Sequence, residues 1–150
     1  MDGNVEKILD NLIISLKIII ESFGRTPVHI SEGSVPGISV LDESFDILTD
    51  GCDGVFLSVD IDVVDPGIAP GTGTPEPGGM TSRELLEAVR RICTELPIVG
   101  IDVVEVAPAY DSADITAILA NRVILEALSA ITVRKNGGKY LPTRNLLEGR

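Results

Sequence analysis

Val55-Phe-Leu-Ser-Val-Asp60, continuing as Ile61-Asp-Val-Val-Asp-Pro66, is the stretch whose reading decides the fold. Its first six residues are a short apolar run ending in a carboxylate. That is the pattern of a buried strand whose carboxyl end opens into a site. Ile98-Val-Gly-Ile-Asp-Val-Val104 reads as a second buried strand, and a carboxylate, Glu105, again follows it. Between the two, Thr81-Ser-Arg-Glu84 fits a capping box and predicts a helix from Ser82 to about Thr94. Beyond Pro108, Asp114 is the expected cap of a long helix rich in Ala and Leu that reaches Ile131. Strand, helix, strand, helix in this order implies right-handed parallel crossovers in an α/β domain.

Outward from this core the signals weaken. Val5, Ile8, Leu9, Leu12, Ile13, Leu16, Ile19, Ile20 and Phe23 recur at helical spacing, which predicts one amphipathic helix over residues 4 to 23, ended by Gly24. Thr26 to Ser31 suits a short strand, and Asp42 to Thr49 a short helix. From Arg134 the chain is basic and polar. The organisation expected is a divergent segment 1–53, a core 54–133 and a basic surface tail 134–150. Hydrophobic residues make up 44% of the chain and aromatics only 3%, so the core must be aliphatic, as in a sheet covered by helices.

A net charge of −11 excludes nucleic acid and anionic membrane as natural partners and suits a cationic ligand, either a metal ion or a guanidinium. Cys52 and Cys93 are far apart in sequence and form no Cys-x-x-Cys pair, so a reducing cytoplasm is the expected location. The apolar run Leu12 to Ile20 is interrupted by Lys17, has an acidic flank, and is too short to span a bilayer.

Three carboxylate groupings carry chemistry. Asp60 and Asp62 lie two apart, so they leave a strand on one side, where two carboxylates repel unless they share a cation or proton. Hard divalent metals take such oxygen ligands. On an isolated Asp-x-Asp, the plainer alternative is one turn cap and one solvated side chain. Asp65 before Pro66 starts a turn. Glu76 stands between two prolines in a Pro- and Gly-rich loop, held outward either toward a cationic substrate or simply into solvent. Glu105 follows a buried strand and can hold a guanidinium with both oxygens, or lie on the surface. Asp102, mid-strand, reads as a buried structural residue.

Ser58-Val-Asp-Ile-Asp-Val-Val-Asp-Pro66, then Ala69-Pro-Gly-Thr-Gly-Thr-Pro-Glu-Pro-Gly-Gly79, then Gly100-Ile-Asp-Val-Val-Glu-Val-Ala-Pro108 and Asp111-Ser-Ala-Asp-Ile-Thr-Ala117 together resemble the arginase, agmatinase and guanidinobutyrase (ureohydrolase) family. The wording is closest to the carboxyl-terminal half of agmatinase or guanidinobutyrase members. The resemblance covers about Gly54 to Ile131. It implies a truncated arginase-like fold, a three-layer α/β/α domain with a mainly parallel sheet, and a binuclear Mn²⁺ centre at the strands' carboxyl ends. It further implies that Asp60 and Asp62 are metal ligands and that Glu105 binds the substrate guanidinium. The implied reaction is hydrolysis of agmatine or 4-guanidinobutanoate to an amine and urea.

The family's histidine-bearing segments, Gly-Gly-Asp-His and Asp-Ala-His-x-Asp, do not occur in this sequence, whose only histidine is His29. The expectation is therefore a site incomplete in this chain, which would act as a homo-oligomer or beside a full-length paralogue. The alternative is a non-catalytic remnant serving as an oligomer partner. Asp60-Ile-Asp-Val63 also resembles the Asp-x-Asp-x-Val nucleophile of haloacid-dehalogenase phosphotransferases, a reading that leaves the Pro/Gly loop without a role.

Overall fold

The computed structural model describes residues 53–141, together with the backbone of Ile18–Ser22 and Val28–Ile30, and Phe45. The strand that the sequence marks as central, β3 (Val55–Asp60), lies between β1 (Ile18–Ser22) and β4 (Ile98–Val104). β2 (Val28–Ile30) pairs with the far side of β1, giving the order β2-β1-β3-β4. β3 and β4 run parallel, as the crossover argument requires, whereas β1 pairs antiparallel with both β2 and β3. Val55, Leu57 and Val59 are completely buried on one face of β3, while Phe56, Ser58 and Asp60 are half-buried on the other. This is the two-residue period of a strand.

Two helices complete the described fold. α1 (Ser82–Glu95) is the crossover between β3 and β4, and α2 (Ile115–Lys135) follows β4. Thr81 caps α1 as the sequence predicts, its hydroxyl accepting from the Glu84 N–H while the Glu84 carboxylate accepts from the Thr81 N–H at 2.8 Å. Leu85, Val89, Ile92 and Leu96 of the α1 region pack with Leu119, Val123 and Ala127 of α2 on the buried face of β3. An ion-pair cluster locks the helices together. Arg90 reaches the buried Glu126 at 2.5 Å and Glu87 at 3.1 Å, and Arg122 reaches Glu126 at 3.1 Å. The hydrogen bond from Arg90 holds the Glu126 carboxyl below its usual range. Arg91 lies between the rings of Phe45 and Tyr140, at 5.1 and 5.8 Å from their centroids.

By length and composition α2 could cross a membrane. Here Leu119, Ala120, Val123, Ala127 and Ala130 are buried in the core, so it serves as a packed helix. Ile118, Leu125 and Leu128 on its other side are exposed.

The helix expected over residues 4 to 23 does not hold at its end, because Ile18–Ser22 is a strand, while residues 4–17 lie outside the described residues. Ile18-Ile-Ile20 is a run of β-branched residues, stiff at χ1 and suited to a pleated surface. Continuous apolar runs satisfy helical spacing without being helical. The strand expected within Thr26 to Ser31 is present as β2. Of the helix expected over Asp42 to Thr49, only Phe45 is among the described residues, and it is helical. β4 is less buried than expected: Val99 is 62% exposed and Asp102 is exposed, because β4 has one sheet neighbour among the described strands.

Thr81→Ala should lower unfolding stability by about 1 kcal/mol, measured by denaturant titration, because the Glu84 N–H in the first turn of α1 loses its acceptor, the Thr81 hydroxyl.

Candidate functional site

The parallel register places Asp60, the last residue of β3, opposite Val104, the last residue of β4. Glu105 comes next, so the aspartate pair and Glu105 leave the sheet at the same rim. After Asp60 the chain tightens into a 3-10 turn, Ile61–Val63, with Ile61 and Val63 buried and Asp62 half-buried between them. The Asp62 N–H donates to Asp60 Oδ1 at 3.1 Å, so Asp60 also caps this turn. Glu105 is exposed and has φ +63°, a left-handed conformation uncommon for a residue with a side chain.

Residues 66–79 fold back over this rim. Asp65 holds both ends of the loop, its Oδ1 accepting from the Gly67 N–H at 2.8 Å and its Oδ2 from the Gly78 N–H at 3.0 Å. Val64 bridges Met80, and a side chain at Gly79 would meet the Asp65 nitrogen at 2.4 Å, so only glycine permits this approach. Within the loop, the Thr72 hydroxyl donates to Asp62 Oδ1 and the Thr74 hydroxyl to Asp62 Oδ2. Each oxygen of Asp62 is thus oriented by its own hydroxyl. Gly73, between the two threonines, lies beside Glu105: a Cβ there would be 4.0 Å from Glu105 Oε2. Glu76 is exposed farther along the loop.

Burial pushes the Asp60 carboxyl up to about 6. The Asp62 N–H opposes this, and the nearby carboxylates of Asp62 and Glu105 add to it.

Asp60, Asp62 and Glu105 therefore lie at one rim of the sheet, and Glu76 is exposed on the loop that covers it. Asp102 departs from expectation, being exposed rather than buried. His29 lies on β2, its backbone in register with Ile19. Asp114 stands at the start of α2 with φ +60° and makes no side-chain cap. The cap comes instead from Asp111, whose carboxylate accepts from the N–H groups of Thr116 and Ala117 at 3.0 and 3.1 Å. Sequence reasoning missed Thr72 and Thr74. Their contacts depend on the path of the loop back to Asp62, for which the sequence offers no local signal.

Asp60 and Asp62 supply oxygen donors, and the crowding of negative charge at Asp60 is of the kind a divalent cation relieves. They fit two ligand positions of a hard-metal centre. Among the described residues, no group of three or more His, Cys, Asp or Glu side chains is placed to hold a metal.

The raised Asp60 value has a definite sign. Where the native carboxyl keeps a proton that the unfolded chain has released, the stabilisation is full below the ordinary value of 3.8 and is lost as pH rises through about 6. In metal-free buffer, the wild-type melting temperature should fall more than that of Asp60→Asn between pH 4 and 7, leaving the variant relatively more stable at neutral pH. Parallel melting curves would mean that Asp60 ionises freely.

A protein-family model described as "Arginase family" matches residues 15–130. Proclavaminate amidinohydrolase from Streptomyces clavuligerus is 58% identical over 74 residues, 49% of this chain and 23% of that protein. Agmatinase from Cronobacter sakazakii is 53% identical over 81 residues, 54% of this chain and 26% of that protein. The crystal structure of formimidoylglutamase from Bacillus subtilis superposes with a TM-score of 0.60 at 39% identity, covering 63% of this chain and 30% of that one. The matched segment thus spans about a quarter of the length of these curated relatives. The match leaves no place for the phosphotransferase reading, and it starts well before Gly54, where the sequence motifs begin. The chain belongs to the Arginase family.

Proposed function

We propose that this chain supplies the acidic rim of a ureohydrolase site that hydrolyses a guanidino compound, agmatine or 4-guanidinobutanoate, to an amine and urea. The observation that carries the reading is the convergence of Asp60, Asp62 and Glu105 at the carboxyl ends of two adjacent parallel strands. Asp60 and Asp62 would hold manganese, with Thr72 and Thr74 fixing how Asp62 presents its oxygens. A bound divalent metal lowers the pKa of coordinated water toward neutrality, which is the chemistry it would supply here.

Glu105 faces the opposite task. A guanidinium is planar and offers paired N–H donors, which a carboxylate accepts with both oxygens. Gly73, lacking a side chain, leaves room beside that carboxylate for a flat cation. Glu76, exposed on the loop, would meet the cationic end of a substrate such as agmatine. In the overall reaction water adds at the guanidinium carbon, the bond from that carbon to the chain nitrogen breaks, and the departing amine takes a proton.

A second reading is favoured by the exposed apolar residues of α2 and by Val99 on β4. In it the chain is a non-catalytic partner that assembles with copies of itself or with a full-length relative. Co-purification with an intact ureohydrolase, without urea formation by this chain, supports that alternative.

The deciding experiment incubates the purified chain with Mn²⁺ and each substrate and measures urea colorimetrically. Urea is expected once a partner chain completes the site, and its absence with every guanidino compound, from the chain alone and from its complex with a full-length relative inactivated at its own metal ligands, overturns the catalytic reading. Glu105→Gln should lower kcat/KM about 10- to 100-fold, the effect of losing one hydrogen-bonded charge partner, mainly through KM.

A further inference from the structure

We propose that Thr116, in the first turn of α2, is a positioning residue that sets the orientation of Asp62 through the loop 66–79. The proposal rests on the reading of Asp62 as a site residue and adds to it a control point on a different element. Thr116 is completely buried although its side chain is polar. Its Oγ1 accepts from the Gly71 N–H at 2.8 Å, a buried contact that joins α2 to the middle of the loop across 45 positions of sequence.

The helix start that carries Thr116 is itself held by Asp111. The Asp111 carboxylate accepts from the N–H groups of Ser112, Thr116 and Ala117. A backbone N–H can only donate, so toward Gly71 the Thr116 oxygen is the acceptor. Burial works against ionisation of Asp111, but these donors together hold its carboxyl below the usual range.

Gly71 is gripped on both sides of its peptide. Its carbonyl accepts from the Ala107 N–H at 2.7 Å, just past Glu105. A Cβ at Gly71 would sit 2.7 Å from Asp111 Cβ and Cγ and 2.9 Å from Thr116 Oγ1, so the backbone has been drawn in as far as glycine allows. The next residue, Thr72, is buried, and its hydroxyl donates to Asp62. The path from Asp111 through Thr116, Gly71 and Thr72 to Asp62 therefore runs through hydrogen bonds and one peptide link. Outer partners of this kind govern how a metal-binding carboxylate presents its oxygens.

The test compares Thr116→Val, which keeps the shape and loses the hydroxyl, with Thr116→Ser, which keeps the hydroxyl. In Thr116→Val, the Gly71 amide should exchange with solvent about tenfold faster or more, while Val123 and Ala127 in the core of α2 keep their rates. The side-chain carboxylate ¹³C shift of Asp62 should move, and Mn²⁺ affinity, followed by the electron paramagnetic resonance of free Mn²⁺, should weaken about 10- to 100-fold. Thr116→Ser should restore all three. Unchanged Gly71 exchange, or an unmoved Asp62 shift, in Thr116→Val overturns the proposal. Wild-type protein that takes up no Mn²⁺ defeats the metal reading separately, and the Asp62 shift then decides the positioning role alone. Should Thr116→Val fail to fold, Asp111→Asn takes its place: a smaller Asp62 shift in the same direction supports the path, and none overturns it.

Discussion

The rest of the structure depends on the parallel registration of β3 with β4. A parallel pair cannot be closed by a tight turn, so the chain must leave the rim at Asp60, cross the sheet in α1 and re-enter at Ile98. That detour gives both strands the same direction, so both of their carboxyl ends arrive at one edge. Had the two paired antiparallel, Glu105 would leave at the far end of the sheet from Asp60. The core enforces the registration through the alternation on β3. A slip of one residue would turn Val55, Leu57 and Val59 away from the helices and bury Ser58 and Asp60 in their place.

The rim combines repulsion with close hydrogen bonding. Three carboxylates approach one another, and Asp60 is already reluctant to ionise. The loop counters this with hydroxyl and peptide donors that carry no full charge. Thr72 and Thr74 satisfy Asp62, and peptide N–H groups satisfy Asp65, whose carboxyl lies below its usual range through the Gly78 and Gly67 bonds. The arrangement tolerates negative charge without neutralising it. The abundance of glycine in the loop follows from the same requirement, since backbone donors can reach a carboxylate only where no side chain intervenes.

How much of this was legible in the sequence depended on whether a signal was local. The strands Val55–Asp60 and Ile98–Val104 and the cap at Thr81 and Glu84 depend on near neighbours, and the structure has them where the sequence placed them. Ile18–Ser22 was misread because a run of three isoleucines satisfies two periodicities, and only the partner strand β3 chooses between them. Asp111 was passed over in favour of Asp114 because the chain enters α2 through two left-handed residues, Ala113 and Asp114, which aim the earlier aspartate at the helix start. The threonine contacts to Asp62 span ten and twelve positions of a loop whose path is set by Asp65 and Gly79. No pairwise spacing rule reveals such contacts. The acids of the site were readable because chemistry restricts their type, whereas their supports were not, because many polar residues could serve.

The left-handed backbone at Glu105 has a further consequence. A residue with a Cβ in that region costs the fold roughly 1 to 2 kcal/mol relative to one without. Glycine would be the more comfortable occupant at this strand exit, and the protein would gain thermal robustness from it while losing the acid. Selection for stability alone would thus tend to erase this glutamate, and an engineering campaign that scored variants by heat resistance would be drawn to the same change.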